Sequence, residues 1–229
     1  MKILAIDSSN LVMGISIATE EKVLAELITN SKKNHSERLM PAIAQMTEAI
    51  GIRPEELDRI VVAYGPGSYT GLRIGVTIAK TLAWTLKKEL VGVSSLEIVA
   101  QNGRYFNGYI APFFDARRGQ VFAGLYRSSG GRVESVAADQ LLLMKDWLPK
   151  LEHLDQPVLF LSNDLSIWRE ALEKYQWAHL GTATQNSPRP GELARLGLEK
   201  EPVSDIHHFL PVYLRMAEAE AKWLANQER

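Results

Sequence analysis

The chain has 229 residues, of which 46% are apolar and 23% charged, a balance that supports sizeable cores and excludes a disordered chain. It contains no cysteine, which excludes disulfides, thiolate nucleophiles and cysteine metal sites. The formal net charge is −1 and basic runs are no longer than pairs such as Lys87-Lys88, so no basic face is offered to phosphates, and a role in RNA chemistry has to run through a partner that holds the RNA.

The first segment, Lys2 to Ile6, is β-rich and ends in the turn cluster Asp7-Ser8-Ser9-Asn10. Its four apolar residues are too few for a signal-peptide core, and no apolar run reaches the length of a membrane span, so a cytoplasmic location is expected. Strands over Met13 to Thr19 and Lys22 to Thr29 complete an antiparallel meander. Leu39, Ile43, Met46 and Ile50 then fall at helical spacing, with Ser36 as the expected N-cap and Pro41 near the first turn. Ile60 to Tyr64 reads as a buried strand, Gly65-Pro66-Gly67-Ser68 as a tight turn, Tyr69 to Lys87 as a helix and Leu90 to Val93 as a short strand. The order β-β-β-α-β-α-β implies a mixed sheet covered by helices.

The polar stretch Gln101 to Gly108 suggests a boundary, dividing an N-terminal lobe over 1–103 from a reduced C-terminal lobe over 104–229. Beyond it, Ala111-Pro112-Phe113-Phe114-Asp115 followed by Gly119-Gln120-Val121-Phe122 repeats the pattern of Ile3 to Asp7 and Gly14 to Ile17: apolar strand, terminal aspartate, polar turn, second strand. This is a weak internal duplication of one hairpin per lobe. The remainder reads as an amphipathic helix near Asp139 to Leu151, a strand Val158 to Leu161, helices Leu165 to Tyr175 and Pro190 to Leu198, an irregular stretch, and a last helix from Ala217 to Asn226.

Two hairpins with aspartates at their first-strand tips suggest the duplicated actin-like (ASKHA, ribonuclease H-like) α/β fold, in which such turns grip phosphates and the aspartates position metal or water. Asp7, Ser8, Ser9, Asp115 and Arg117 are therefore the candidates for a degenerate nucleotide or phosphate site. The same Asp-Ser-Ser turn is also what a plain strand-ending Asx-turn looks like. The glycines at 65, 67, 71 and 75 precede a helix N-terminus, where anion binding is available, and equally serve close helix–sheet packing; the motif lacks the Gly-Lys-Ser/Thr ending of a P-loop. The five histidines form no metal-pair spacing and no triad or G-x-S-x-G elbow can be assembled, so no metal is expected. The helix after the glycine turn is apolar over more than half its girth, with Arg73 and Lys80 its only charges before Lys87. Either it is central to its lobe or its outer side meets another protein.

The stretch Gly65-Pro66-Gly67-Ser68-Tyr69-Thr70-Gly71-Leu72-Arg73, with Ile3 to Asp7 before it, Phe114-Asp115-Ala116-Arg117-Arg118-Gly119-Gln120-Val121 after it and Pro211-Val212-Tyr213-Leu214-Arg215 near the end, resembles the TsaB (YeaZ) family. This resemblance implies a non-catalytic scaffold and activating subunit of the machinery that places threonylcarbamoyl on the adenosine beside the anticodon of transfer RNA. It implies TsaD, the catalytic subunit of the same fold, as heterodimer partner and the ATPase TsaE as a further one. Homodimerisation when alone, contact with tRNA only indirectly, and no cofactor in the isolated chain follow from it too; ATP or ADP belongs at an interface of the complex if anywhere. The positions corresponding to the His-x-x-x-His metal pair of TsaD are Ser95 and Val99. Leu39, Met40, Ile43, Ile74, Ile78 and Leu82 are assigned to the partner face. The alternative is an actin-like-superfamily ATPase or kinase using Asp7 and Asp115.

Overall fold

A computed structural model describes residues 1–31 and 34–215. The expected helix Ala217 to Asn226 lies outside the described residues. Strands β1 (Lys2–Asp7), β2 (Val12–Thr19), β3 (Val23–Asn30), β4 (Arg59–Gly65) and β5 (Glu89–Ser94) form one sheet in the order β3-β2-β1-β4-β5. Strands β6 (Tyr109–Asp115), β7 (Gln120–Ser129), β8 (Arg132–Leu143), β9 (Val158–Leu161) and β10 (Ala178–Leu180) form a second in the order β10-β9-β6-β7-β8. With β6 set in the place of β1, the two orders are the same. The directions agree as well: β1 and β6 each run antiparallel to the strand that follows and parallel to the fourth strand of their sheet. The duplication therefore extends over the whole five-stranded unit, as the actin-like fold requires.

Helices fill matching places. α1 (His35–Ala49) and α2 (Tyr69–Leu86) flank β4, as α4 (Met144–Glu152) and α5 (Leu165–Leu172) flank β9; α3 (Ser95–Ala100) and α6 (Pro190–Glu199) follow the fifth strands. Strands β1, β2 and β4 of the first sheet are buried on both faces because both are covered. Leu4, Ile6, Ile15, Ile60 and Val62 meet Leu39, Ile43 and Met46 of α1 and Val76, Ala79 and Ala83 of α2. Ile3, Ala5, Val61, Val91 and Val93 meet Leu193, Ala194 and Leu196 of α6. α6 thus packs on the first sheet although it follows the second in the chain. Conversely, Leu96, Val99 and Ala100 of α3 pack with Ile110, Phe114, Tyr126, Leu159 and Leu161 of the second sheet. Each lobe lends its last helix to the other.

Several sequence expectations need correction. The segment expected to be helical from Asp139 is strand as far as Leu143, because Gln140, Leu141 and Leu142 pair with Ala123, Phe122 and Val121. The helix proper covers Met144–Glu152. Leucines next to a helix carry no period of their own, so only the neighbouring strand decides their state. α1 starts at His35 with Asn34 at its N-cap position, two residues earlier than the expected Ser36, and Pro41 sits inside the helix on its exposed side. α5 stops at Leu172 rather than Tyr175, and β8, β10 and the short α3 have no counterpart in the sequence reading.

Candidate functional site: the interlobe cleft and the α1–α2 face

Asp7 ends β1, and its Oδ1 accepts the Ser9 N–H at 2.8 Å, the Asx-turn that a strand-ending aspartate makes. The turn then lies on the start of α2. Ser9 O accepts the Ser68 N–H at 2.6 Å, Ser8 Oγ donates to Gly71 O at 2.8 Å, and Ser68 caps the helix by accepting from Gly71 N–H. A Cβ on Gly67 would stand 2.1 Å from Ser9 O, one on Gly71 2.1 Å from Ser8 O, and one on Gly75 2.4 Å from Ser8 Oγ. Three of the four glycines are therefore explained by the close approach of the chain's own turn. Asp7 and Ser8 are buried beneath the surface. Burial pushes the Asp7 carboxyl above its ordinary value, against the opposing hydrogen bonds from Ser9, and its Oδ2 has no partner.

The opposite wall comes from the second hairpin. Asp115 Oδ2 accepts the Arg117 N–H at 3.2 Å, and the Asp115 N–H donates to Asp164 Oδ2 at 3.0 Å. Asp164, just before α5, is pushed up by burial and by the nearby Asp115 charge. Arg117, Arg118 and Gly119 all have positive φ (63°, 56° and 74°), a left-handed run that costs about 1–2 kcal/mol at each non-glycine position. A third wall is the strap that follows α6. The Val212 N–H donates to Tyr64 O at 2.8 Å, the Tyr213 ring lies 4.6 Å from that of Tyr69, and Arg73 stacks 4.2 Å over Tyr69 while donating to Tyr213 Oη at 3.2 Å. Arg215 donates to Ala116 O and to Gln120 Oε1, holding the tip of the second hairpin. Together these walls enclose a cleft of about 920 Å³.

Of the five residues assigned to a degenerate phosphate site, Ser9, Asp115 and Arg117 line this cleft, while Asp7 and Ser8 do not. Asp164, Tyr69, Tyr213 and Arg215 line it too and were not anticipated. The Pro211 to Arg215 motif was the available signal for the last two, but spacing alone does not reveal that a strap returns to a hairpin a hundred residues earlier.

The residues assigned to the partner face differ in exposure. Leu39 and Ile43 are core, at 0% and 5% exposure, because the stripe they belong to is the inward one. Met40 is exposed, and Ile74, Ile78 and Leu82 are half-buried against the first core. The exposed side of α2 carries Thr70, Thr77, Thr81, Trp84 and Thr85, and no carboxylate occurs in the helix. Part of its apolar girth is covered within the molecule. The strap is tied down by Val203 N–H to Leu90 O and by Lys80 Nζ to the carbonyls of His207 and Phe209, and it lays Val203, Ile206 and Phe209 against the core.

A family model described as "TsaD: tRNA N6-adenosine threonylcarbamoyltransferase" matches residues 22–223. The tRNA threonylcarbamoyladenosine biosynthesis protein TsaB of Bacillus subtilis (strain 168) is 53% identical over 230 residues, covering 100% of both chains. The chain belongs to the TsaB family. The TsaB of Escherichia coli (strain K12) is 30% identical over 129 residues, 56% of this chain and 55% of that protein. The solved structure of YeaZ from Pseudomonas aeruginosa superposes with a TM-score of 0.77 over 93% of this chain and 99% of its own at 23% identity, which supports the fold. Within this TsaB-family chain, Ser95 and Val99 are both fully buried in α3. No helix among the described residues is long and apolar enough to cross a membrane.

Proposed function

We propose that the chain is a non-catalytic scaffold and activating subunit in tRNA N6-threonylcarbamoyladenosine modification, pairing through its α1–α2 face with TsaD and forming a platform for TsaE. The observation that carries the pairing is the outer side of α2. Ile74 and Ile78 are half-exposed beside Thr77, Thr81 and Thr85, Met40 of α1 is exposed, and no acidic group interrupts the helix. Such a surface desolvates at low cost against another helix. The non-catalytic part is supported by one placement: Ser95 and Val99, which the family resemblance sets at the TsaD histidine positions, are sealed in the interior. Formal net charge −1 supports indirect contact with tRNA. Homodimers through the same face are expected when the chain is alone, as is a cytoplasmic location. ATP or ADP would enter only at an interface of the complex.

Paired variants test the reading. Ala79 is fully buried and Ile78 is not, so Ala79→Glu should lose thermal stability while Ile78→Glu folds normally and fails to co-elute with purified TsaD. An Ile78→Glu protein that pairs with native affinity would overturn it. The second reading, an ATPase or kinase, has the volume of the interlobe cleft in its favour, but of its two aspartates only Asp115 reaches that cleft. Stoichiometric Mg-ATP binding by the isolated chain in calorimetry would restore it.

A further inference from the structure

The geometry points to a second docking site, at the C-terminal end of α2, for a partner polypeptide that places a bulky apolar side chain beside carboxylates. Trp84 is 63% exposed and is the only exposed tryptophan among the described residues. Six residues separate it from Ile78, which at about 100° per residue sets the two about 120° apart around the helix. It therefore belongs to the flank toward the strap, about 20° around the helix from Thr77, and the site adjoins the pairing face proposed above, sharing Thr85 with it.

The indole is held in place. Its ring stands edge-on to the His207 ring at 6.0 Å, and the segment bearing His207 is fixed by Lys80 Nζ, which donates to His207 O at 2.9 Å and to Phe209 O at 2.8 Å. Between Trp84 and Ile206 of the strap lies a hollow of about 560 Å³, also lined by Ala83, Thr85, Lys87 and Lys88. A preformed aromatic wall loses little side-chain freedom on binding, which is why rigid indoles recur as binding anchors.

The charge around the hollow selects the partner. No carboxylate lines it, while Lys87 is exposed and has no bonding partner among the described residues. Lys88 Nζ donates to the Glu55 carbonyl at 2.8 Å, which leaves its positive charge uncompensated by that contact. Of the carboxylates on neighbouring segments, Glu89 is matched by Arg59 at 2.6 Å, Asp205 is hydrogen-bonded to His208 at 2.6 Å, and the exposed Glu55 stands opposite two lysines, Lys87 and Lys88, so the rim keeps a positive excess. Two of the last carbonyls of α2 are also occupied, Trp84 O by the Lys87 N–H and Ala83 O by the Lys88 N–H. An apolar hollow with an unmatched cationic rim complements an acidic segment carrying Leu, Ile or Phe.

The test uses the full chain and three synthetic peptides: one with Glu and Leu at helical spacing, one with Lys replacing Glu, and one with Ser replacing Leu. The indole N–H signal of Trp84, assigned by its loss in Trp84→Phe, is followed by NMR. The expected result is that only the Glu/Leu peptide moves this signal, with affinity that falls as salt is added. Trp84→Ala and Lys87→Glu should each weaken binding roughly tenfold or more, with unchanged melting temperatures. The proposal is overturned if the signal does not move, if all three peptides move it equally, or if it moves with protein concentration alone, which would make a second copy the occupant.

Discussion

Gly71 and Gly51 carry different obligations, and substitution separates them. An alanine Cβ at Gly71 would stand 2.1 Å from the Ser8 carbonyl oxygen, a backbone atom that cannot step aside without moving the β1–β2 turn. Gly51 has open space around it and is glycine for its φ of +67°. Gly71→Ala should cost about 3 kcal/mol, the range of an overpacked interior, and Gly51→Ala about 1 kcal/mol, the price of a left-handed alanine. Urea unfolding of both variants checks the ranking, and equal costs would mean that the turn is not pressed against α2. Asp7 gives a pH test at the same scale. Its folded-state pKa is raised above the ordinary 3.8, so its contribution to stability is fully present below that value and lost as pH rises through the folded one. Asp7→Asn keeps an acceptor for the Ser9 N–H and removes the charge. It should therefore be more stable than the parent at pH 7, with the gap closing as pH falls to 3.8. Melting curves across that range decide it; a gap that widens toward acid would contradict the assignment.

Among the elements, α6 owes its position to one buried cation. Arg59 of β4 is 8% exposed, bonds Glu89 of β5 at 2.6 Å and donates to Gly197 O at 2.6 Å and Lys200 O at 3.3 Å. It thus neutralises the C-terminal carbonyls of the helix that the second lobe lends to the first sheet. Arg59→Met keeps most of the stem's packing but leaves those carbonyls without a donor. Because Glu89 remains half-exposed and can be hydrated, the expected loss is about 2–3 kcal/mol. Hydrogen exchange should show faster opening of α6 than of α1 in this variant; uniform protection would mean that apolar contacts alone hold the helix.

At the level of the whole molecule, the two lobes are tied by a polar cluster as well as by the exchanged helices. Ser94, at the end of β5, caps α3 by accepting from the N–H groups of Leu96 and Glu97, and donates its own proton to Asp139 of β8 at 2.5 Å. Tyr126 of β7 donates to the other oxygen of the same carboxylate at 2.8 Å. Burial raises the Asp139 pKa against these two bonds, and raises that of Tyr126, an effect to which the Asp139 charge adds. Asp139→Ala strands a Tyr126 hydroxyl that is 3% exposed, so it should cost about 2–3 kcal/mol, whereas Tyr126→Phe removes a donor and should cost about 1 kcal/mol. The double variant leaves no orphaned tyrosine hydroxyl and should cost less than the sum, measured by chemical unfolding in a double-mutant cycle. Strict additivity would mean that the pair does not act as a unit.

The first lobe was readable because its elements advertise themselves: alternating short strands, a clear apolar stripe from Leu39 to Ile50, and a glycine turn before a long helix. The aspartate-tipped hairpins exposed the duplication, since a strand end that meets a polar turn leaves a local mark. The second lobe hid β8 because Leu141 to Leu143 border a helix, and their pairing with β7 is a non-local choice that no window of sequence contains. The candidate sites divide along the same line. Residue types told that no cysteine chemistry and no histidine pair were available. Which sides of α1 and α2 face out depended on where the sheet, the neighbouring helix and the strap lie, so the inward Leu39 and Ile43 of α1 could not be told from its outward Met40 by composition. Likewise, Arg215 reaches Ala116 only because the strap folds back across both lobes, bringing together residues that the chain itself keeps far apart. Sequence fixes what each segment can bury locally; the partners that share that burial are set by tertiary contacts, and so the cleft, the exchanged helices and the exposed face of α2 were decided there.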